Sequence, residues 1–556
     1  MRQTGKISRR QLIQGAGGLG LAMLAAACAP AAPAAPAVED ESATAEDAEP
    51  APAAQQVLTL AQPEPFKALD PHTMGTLVDL HYHEMNFSGL VRTDANYNVV
   101  PELAESWEIS DDLLDFTFHL REGLKWSDGS PFNAKDVVYS LNRNAAHEDA
   151  STKRWLANIV GYEAVRDGEA EAMEGVVIID DFTVAITLDQ AVDLVARMPF
   201  AAFWMVQQAN VESDTPDDPW THRAVGTGPF MIKEFVEGQR IVYEPNPHYW
   251  AGPPQLDEVV WLQLEDKQTQ LALYENDEID VVELDTVNVP RFKDADDPEL
   301  VEVDMIWWWY TWKKVLIPPM DDIKVRQAFN AAIDRTTLIE TVLKGLYTEA
   351  HGIIPTSMPG HNPNVQDIPF NPDRAKQLIS ESSYGDVSNL PPIKFFQPGW
   401  SGIFGIAPRL IVALQQMWQD NLGIEVEIKV EEFEYESAET RAQMGINSTT
   451  ARFPDLESIV WEMAHSKSLR NAPELNRWGY GNPEVDALLD QARYTLEQNE
   501  KHRLYQEAEQ LYITDAAIMP IMFNRLFVLV KPWVKNFQVG PTGTYPSTRD
   551  VVIEAR

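Results

Sequence analysis

Nucleophiles, imidazoles and carboxylates come together at only a few places along this chain of 556 residues. Gly399-Trp400-Ser401-Gly402-Ile403 has the outline of a nucleophile elbow, but Ile403 stands where G-x-S-x-G needs its last glycine. His81-Tyr82-His83-Glu84 groups two imidazoles with a carboxylate. Histidines two apart do not share a helix face, and no H-x-x-x-H pair completes a metal shell. Gly15-Ala16-Gly17-Gly18-Leu19-Gly20 fits the G-x-G-x-x-G pattern, yet no strand precedes it to seat a dinucleotide. Cys28 is the single cysteine, so neither an internal disulfide nor a thiol nucleophile in the body is available. Acids are abundant, and nothing singles out a catalytic pair. These residues argue against an enzyme, and no cofactor or metal is expected.

The denser signal is aromatic. In an extended Trp307-Trp308-Trp309-Tyr310-Thr311-Trp312, Trp307 and Trp309 share one face, while Trp308, Tyr310 and Trp312 share the other. One face is expected in a core and the other at a cleft, with about half of the rings structural by the even division of a strand's faces. Trp400, in a glycine-flanked loop, and Trp461 extend the set. Flat rings stack on flat solutes, and each such contact adds on the order of 1 kcal/mol.

The N-terminus reads as an export segment. Arg2, Lys6, Arg9 and Arg10 precede any acid, the first of which is Glu39. Leu12 to Ala27 is apolar or small except for Gln14, too short for a bilayer span and suited to a signal core. Ser8-Arg9-Arg10-Gln11-Leu12 resembles the twin-arginine export motif, with Arg9 and Arg10 as the signal pair. Leu24-Ala25-Ala26-Ala27-Cys28 resembles a bacterial lipobox in which the leucine stands one place further from the cysteine than usual. Residues 1–27 are therefore expected to be removed and Cys28 to carry acyl chains, at ~0.8 kcal/mol per buried CH₂. Residues 28–56 are rich in Ala, Pro and Glu and have little to bury, which predicts an acidic tether.

From Val57 onward the hydrophobic periodicity alternates between strand and helix. Trp107–Ser110 and Phe116–Leu120 read as strands about a Ser110-Asp111-Asp112 turn, and Val176–Leu188 as a second hairpin about Asp180-Asp181. Asn133 caps a helix with Asp136 three residues on, and Val137, Val138 and Leu141 form its buried face. Further helices are predicted at Val325–Leu343, Asp373–Ser380, Ala407–Gln419, Pro483–Ala492 and Glu497–Thr514. The class is α/β with mixed sheets, and the length suits three domain-sized units. A net charge of −41 excludes nucleic acid as a natural partner.

Read in order, these segments form a family pattern. Val99-Val100-Pro101-Glu102-Leu103-Ala104-Glu105-Ser106-Trp107 is followed by Thr117-Phe118-His119-Leu120-Arg121-Glu122-Gly123 and then Lys125-Trp126-Ser127-Asp128-Gly129. Gly226-Thr227-Gly228-Pro229-Phe230 precedes Asn246-Pro247-His248-Tyr249-Trp250. Val325-Arg326-Gln327-Ala328-Phe329 and Asn482-Pro483-Glu484-Val485-Asp486 come later. The whole of residues 57–556 resembles the family 5 bacterial extracellular solute-binding proteins of the peptide and nickel type. Single motifs here are architectural: Ser127-Asp128-Gly129 is turn chemistry, and Tyr249 and Trp250 suit a core.

That resemblance implies an α/β fold of the periplasmic-binding-protein type II kind, with two hinged lobes and a domain inserted in the first. Residues 57–87, 211–304 and 518–556 would form the first lobe, 88–210 the insert and 305–517 the second lobe, with crossings near Met305 and Ala517. It implies a monomeric receptor of an ABC importer, held to the membrane by its lipid, that captures peptides or peptide-like solutes between its lobes and delivers them to permease subunits. In peptide-binding members an acid of the second lobe holds the ligand's amino group. Here the stretch Thr449-Thr450-Ala451-Arg452-Phe453-Pro454-Asp455 puts Thr450 at that place, and Ser401 stands near the carboxylate-binding arginine. Neither charged clamp is present, which disfavours a free dipeptide, because buried charged termini need partners. Thr450, Ser401 and Arg452 remain candidate contacts, with Asp455 or Glu462 as a displaced anchor. A Trp-rich cleft for oligosaccharides and a secreted hydrolase with a similar shell are the alternatives.

Overall fold

The computed structural model describes residues 55–66, 69–74, 79–398, 407–431, 442–472, 477–545 and 548–555. Arg9, Arg10, Cys28, Trp400 and Ser401 lie outside the described residues.

Strand β1 (Val57–Gln62) buries Leu58 and Leu60 on one face, as its alternation dictates. Helix α1 (Leu80–Asn86) follows. A separate antiparallel sheet is then built from β2 (Ala104–Ile109), β3 (Asp115–Leu120), β4 (Val176–Asp180) and β5 (Thr183–Thr187), in the order β2-β3-β5-β4. Phe116, Phe118, Val184 and Ile186 share a core with Val137 and Leu141 of α2 (Ala134–Ala146). The α2 capping box is formed: Asn133 accepts from the Lys135 amide at 2.9 Å, and the Asn133 amide donates to Asp136 at 2.8 Å.

The chain next builds onto β1 with β6 (Phe230–Val236), β7 (Arg240–Pro245), β8 (Glu258–Gln263) and β9 (Val281–Glu283). The other strands of this sheet are β10 (Leu300–Lys313), β11 (Thr348–Glu349), β12 (Ile393–Pro398), β13 (Val426–Glu431), β14 (Met444–Thr450) and β15 (Ile518–Val530). Together they make an eleven-stranded sheet in the order β13-β12-β14-β10-β15-β9-β1-β8-β7-β6, with β11 on β15. The long pair β10–β15 joins the two lobes. Leu300–Asp304 pair with Leu529–Arg525 beside β9, whereas Trp308–Trp312 pair with Phe523–Ile518 beside β14. The ladder breaks register between those stretches, at Asp304/Trp308 and again at Trp309/Tyr310.

Helices α3 (Ile323–Ala331), α4 (Pro372–Glu381), α5 (Ala407–Leu422), α6 (Pro483–Arg493) and α7 (Gln498–Thr514) lie in the chain between β10 and β15. The single helix expected over Val325–Leu343 is interrupted. Asp334 turns its carboxylate onto the Thr337 amide at 2.9 Å and starts a new turn, so the α-helix stops at Ala331.

The motif residues read as architectural hold the insert to the first lobe. Glu102 accepts from Tyr249 Oη at 2.8 Å, Trp250 Nε1 at 3.1 Å and Arg92 Nε at 3.0 Å. The Gly228 amide donates to the Asn86 carbonyl at 2.9 Å, and a Cβ on Gly226 or Gly228 would strike the same backbone. Close approach explains both glycines.

One buried acid makes stability depend on pH. Glu509 on α7 accepts from the Ile353 and Ile354 amides at 2.6 and 3.0 Å. Burial pushes its carboxyl up to about 7, against the pull of those two amides. A carboxyl raised above its ordinary value of 4.5 supports the fold fully below that pH, and the support is lost as pH rises through about 7. Glu509→Gln keeps an acceptor and cannot ionise. From about pH 4 to about pH 9 its unfolding free energy relative to wild type is expected to improve by on the order of 3 kcal/mol. Urea titrations at both pH values measure this, and a flat difference would remove Glu509 as the source.

Candidate functional site

The aromatic run lies on β10, and its two faces are both covered. Trp309 is fully buried among Val282, Phe329 and Met522, while Trp308, Tyr310 and Trp312 sit in the opposite core with Ala451 and Tyr512. The division of faces is as alternation requires. The expectation that one face, with Trp309 or Tyr310, meets a solute is corrected: β10 is a central strand, and packing covers it on both sides. Tyr310 Oη accepts from Arg470 at 3.1 Å. Trp307 alone of the run's indoles is half-buried, and its register partner is Thr450. Thr450 is half-buried too, with its hydroxyl 3.3 Å from the Ala451 carbonyl. Thus Trp307 and Thr450 are brought together at the junction of β10 and β14, beside the register break.

Asp455 is engaged elsewhere. It caps the turn at Leu456–Ser458 through the Glu457 amide at 2.7 Å and forms an ion pair with Lys501 of α7, both side chains being buried. Lys501 also reaches Asp193, in the short helix Leu194–Arg197 region of the insert, at 3.0 Å. A buried ammonium needs these carboxylates, so Asp455 has no free valence to act as the displaced solute anchor. A second triad lies alongside. Glu457 accepts from Arg493 of α6 at 2.6 Å and from Arg197 of the insert at 3.2 Å. Trp155 meets Phe453 edge-on with centroids 5.6 Å apart, and the Arg452 guanidinium lies 5.9 Å from the Trp155 ring. Trp461 stacks on His465 at 4.8 Å and lies beneath Arg493 at 4.5 Å. Arg452, Asp455 and Trp461 therefore belong to the seam between insert and second lobe, apart from the Trp307–Thr450 pair.

Burial opposes the charge of Lys501, but Asp455 and Asp193 raise it above its ordinary range. Burial likewise disfavours the Glu457 carboxylate, and Arg197 and Arg493 outweigh it and hold the group low. One triad carries a single net negative charge and the other a single net positive charge, so the two triads together are neutral.

Sequence reasoning passed over Glu84. It lies on α1 and lines a cavity of about 250 Å³ with Arg92, Asp94 and Glu102. Glu102 is saturated with donors, whereas Glu84 accepts no hydrogen bond among the described residues. Burial pushes its carboxyl up to about 8, and the Arg92 charge only partly offsets this. Tyr97, whose phenol feels Glu84, is packed in the second-lobe core with Trp308 and Ala451. Glu84 is thus an acid in a cavity lined by the insert and the first lobe, with no ion pair among the described residues. The reading of His81-Tyr82-His83-Glu84 as one unit hid it: His83 is buried, and among the described residues no group of three or more His, Cys, Asp or Glu could hold a metal ion.

The profile of "Bacterial extracellular solute-binding proteins, family 5 Middle" matches residues 98–471. The chain belongs to this family. Family 5 members are solute-binding transport proteins, and the hydrolase alternative falls with that assignment. Similar curated family 5 relatives include the dipeptide-binding protein of Escherichia coli, 28% identical over 80% of this chain and 85% of that one. Heme-binding protein A of Haemophilus influenzae is also 28% identical, over 80% and 83%. Among solved structures, MppA, a periplasmic murein tripeptide-binding protein in its unliganded open form, superposes with a TM-score of 0.77 at 25% identity. That match covers 90% of this chain and 98% of MppA. No helix among the described residues is long and apolar enough to cross a membrane.

The ion-pair seam is open to a direct measurement. Lys501→Met would leave Asp455 uncompensated in a buried setting, and the expected cost is about 3–5 kcal/mol in chemical denaturation. A loss below about 1 kcal/mol, the worth of an exposed pair, would show that the seam does not bear on the folded state.

Proposed function

We propose that this family 5 protein is the lipid-anchored, extracytoplasmic receptor of an ABC importer, and that it takes peptides or peptide-like solutes between its lobes. The observation that carries the reading is Glu84, an acid with no ion pair among the described residues that acts on Tyr97, itself packed with Trp308 of β10, in a chain where the family resemblance puts Thr450 at the place of the amine-binding acid. A solute ammonium supplies the missing counter-charge, while Trp307 and the polar β14 edge at Thr450 offer contacts from the second lobe. The hinge lies at the register break of β10 and β15, with the insert moving as part of the first lobe. A ligand that touches both lobes favours closure by its differential affinity for the closed state, and the permease reads that state. Relatives named for peptides, such as the oligopeptide-binding and glutathione-binding proteins, support the solute class, and a relative named for heme shows how widely the family ranges. The aromatic run, being core, lends no support to a sugar-stacking cleft.

Calorimetric titration with short peptides tests this. At neutral pH the solute must displace a proton from Glu84, so affinity for peptides with a free N-terminus is expected to rise between about pH 6 and about pH 8. Glu84→Gln should flatten that rise and weaken binding about 10-fold, a cost of about 1.4 kcal/mol. N-acetylated peptides should bind wild type and variant alike. Absence of binding by any peptide from three to about ten residues would sink the peptide reading itself. Attachment is tested separately: Cys28→Ala is expected to move the protein from the membrane to the soluble fraction of its host, and retention in the membrane would count against the lipid anchor.

A further inference from the structure

The seam between insert and second lobe encloses a cavity of about 390 Å³ that the proposed peptide site does not use. Its charged lining is Arg154, Arg197, Lys467 and Arg493 against Glu457 and Glu462. In a chain of net charge −41 this is a local surplus of bases. The surplus is larger in effect than the count, because Glu457 is already shared by Arg197 and Arg493. Arg154 and Lys467 are exposed and have no carboxylate partner among the described residues. Glu462 remains as the one lining acid without an ion pair among the described residues.

Hydrogen-bond accounting points the same way. Buried N–H groups of Arg197 (Nε), Arg493 (Nε), Trp155 (Nε1) and Trp461 (Nε1) have no acceptor among the described residues. Native proteins leave few buried donors unmatched, and this group belongs to residues lining one cavity. The lining is thus rich in donors and poor in acceptors. It also carries aromatic rings, Trp155, Phe453 and Trp461, the last already flanked by His465 and Arg493. Guanidinium groups already lie over these rings, Arg154 at 5.2 Å from Trp155 and Arg197 at 5.5 Å from Phe453. Aromatic rings in the lining suit a flat apolar group, and a fork of N–H donors matches a carboxylate.

We propose that this cavity is a second binding site, for an aromatic carboxylate, built jointly by the insert and the second lobe. The carboxylate takes the donors of Arg154, Lys467 and the Arg493 side of the cavity, and the ring lies among Trp155, Phe453 and Trp461. An occupant touches both domains and so favours the arrangement in which the two ion-paired triads are closed. The inference stands apart from the peptide reading, since none of these residues lines the Glu84 cavity.

Isothermal titration of the purified chain with 2-naphthoate tests it, with 2-naphthalenemethanol as the uncharged control. Naphthoate is expected to bind at least about 10-fold tighter than the alcohol, about 1.4 kcal/mol for a charge-assisted contact. Arg154→Glu/Lys467→Glu, two exposed positions outside the ion-paired triads, should lower naphthoate affinity at least about 10-fold and leave peptide binding and the melting temperature unchanged. Lys467→Gln alone serves as the milder variant and should give a smaller loss in the same direction. Equal affinities for acid and alcohol, no binding of naphthoate, or unchanged affinity in the double variant would each overturn the second site.

Discussion

The antiparallel pairing of β10 with β15 carries both lobes on one ladder, and the other elements take their positions from it. Because β9 continues the sheet on one flank and β14 on the other, each lobe is anchored to the same two strands. A sheet shared in this way resists separation, since pulling the lobes apart would break backbone hydrogen bonds, yet it permits twist where the register already slips. The slip lies where Trp307 and Thr450 meet. A solute contact placed there sits close to the pivot, where small rotations of the lobes change its surroundings most directly.

Away from the pivot, the lobes are held by a different kind of force. The insert and second lobe meet through two buried charged triads and an edge-on Trp155–Phe453 contact. Buried ions stabilise little on balance, because desolvation consumes most of the attraction, but they penalise misalignment strongly. The seam therefore acts as a gauge of alignment more than as an adhesive. By contrast, Glu102 binds the insert to the first lobe through the neutral donors Tyr249 and Trp250, while Arg92 and Ser88 of the insert itself steady its carboxylate.

Much of the scaffold was legible from the chain alone, for local reasons. Asn133 and Asp136 announce a helix start, and the hairpins declare themselves by alternation. The break after Ala331 was missed because hydrophobic spacing continues through it, and only the competition of Asp334 for a nearby amide ends the helix. The site was harder to read. Strand alternation sorted Trp307 to Trp312 onto the right faces, but a sequence does not say that both faces of a strand are covered. Lys501 finds Asp193 across 308 positions, and no local pattern signals a pair so distant. Glu84 was noticed only for its neighbours, because no local pattern signals that burial leaves it without an ion pair among the described residues.

The burial of the aromatic run has a spectroscopic side. Trp126, Trp261, Trp308, Trp309 and Trp418 are enclosed in cores that stay intact when rigid lobes rotate. Their emission forms a constant background. Trp155, Trp307 and Trp461 instead sit half-buried at places where one body meets another. With so many indoles held constant, a small optical signal from this tryptophan-rich protein would be compatible with a large movement.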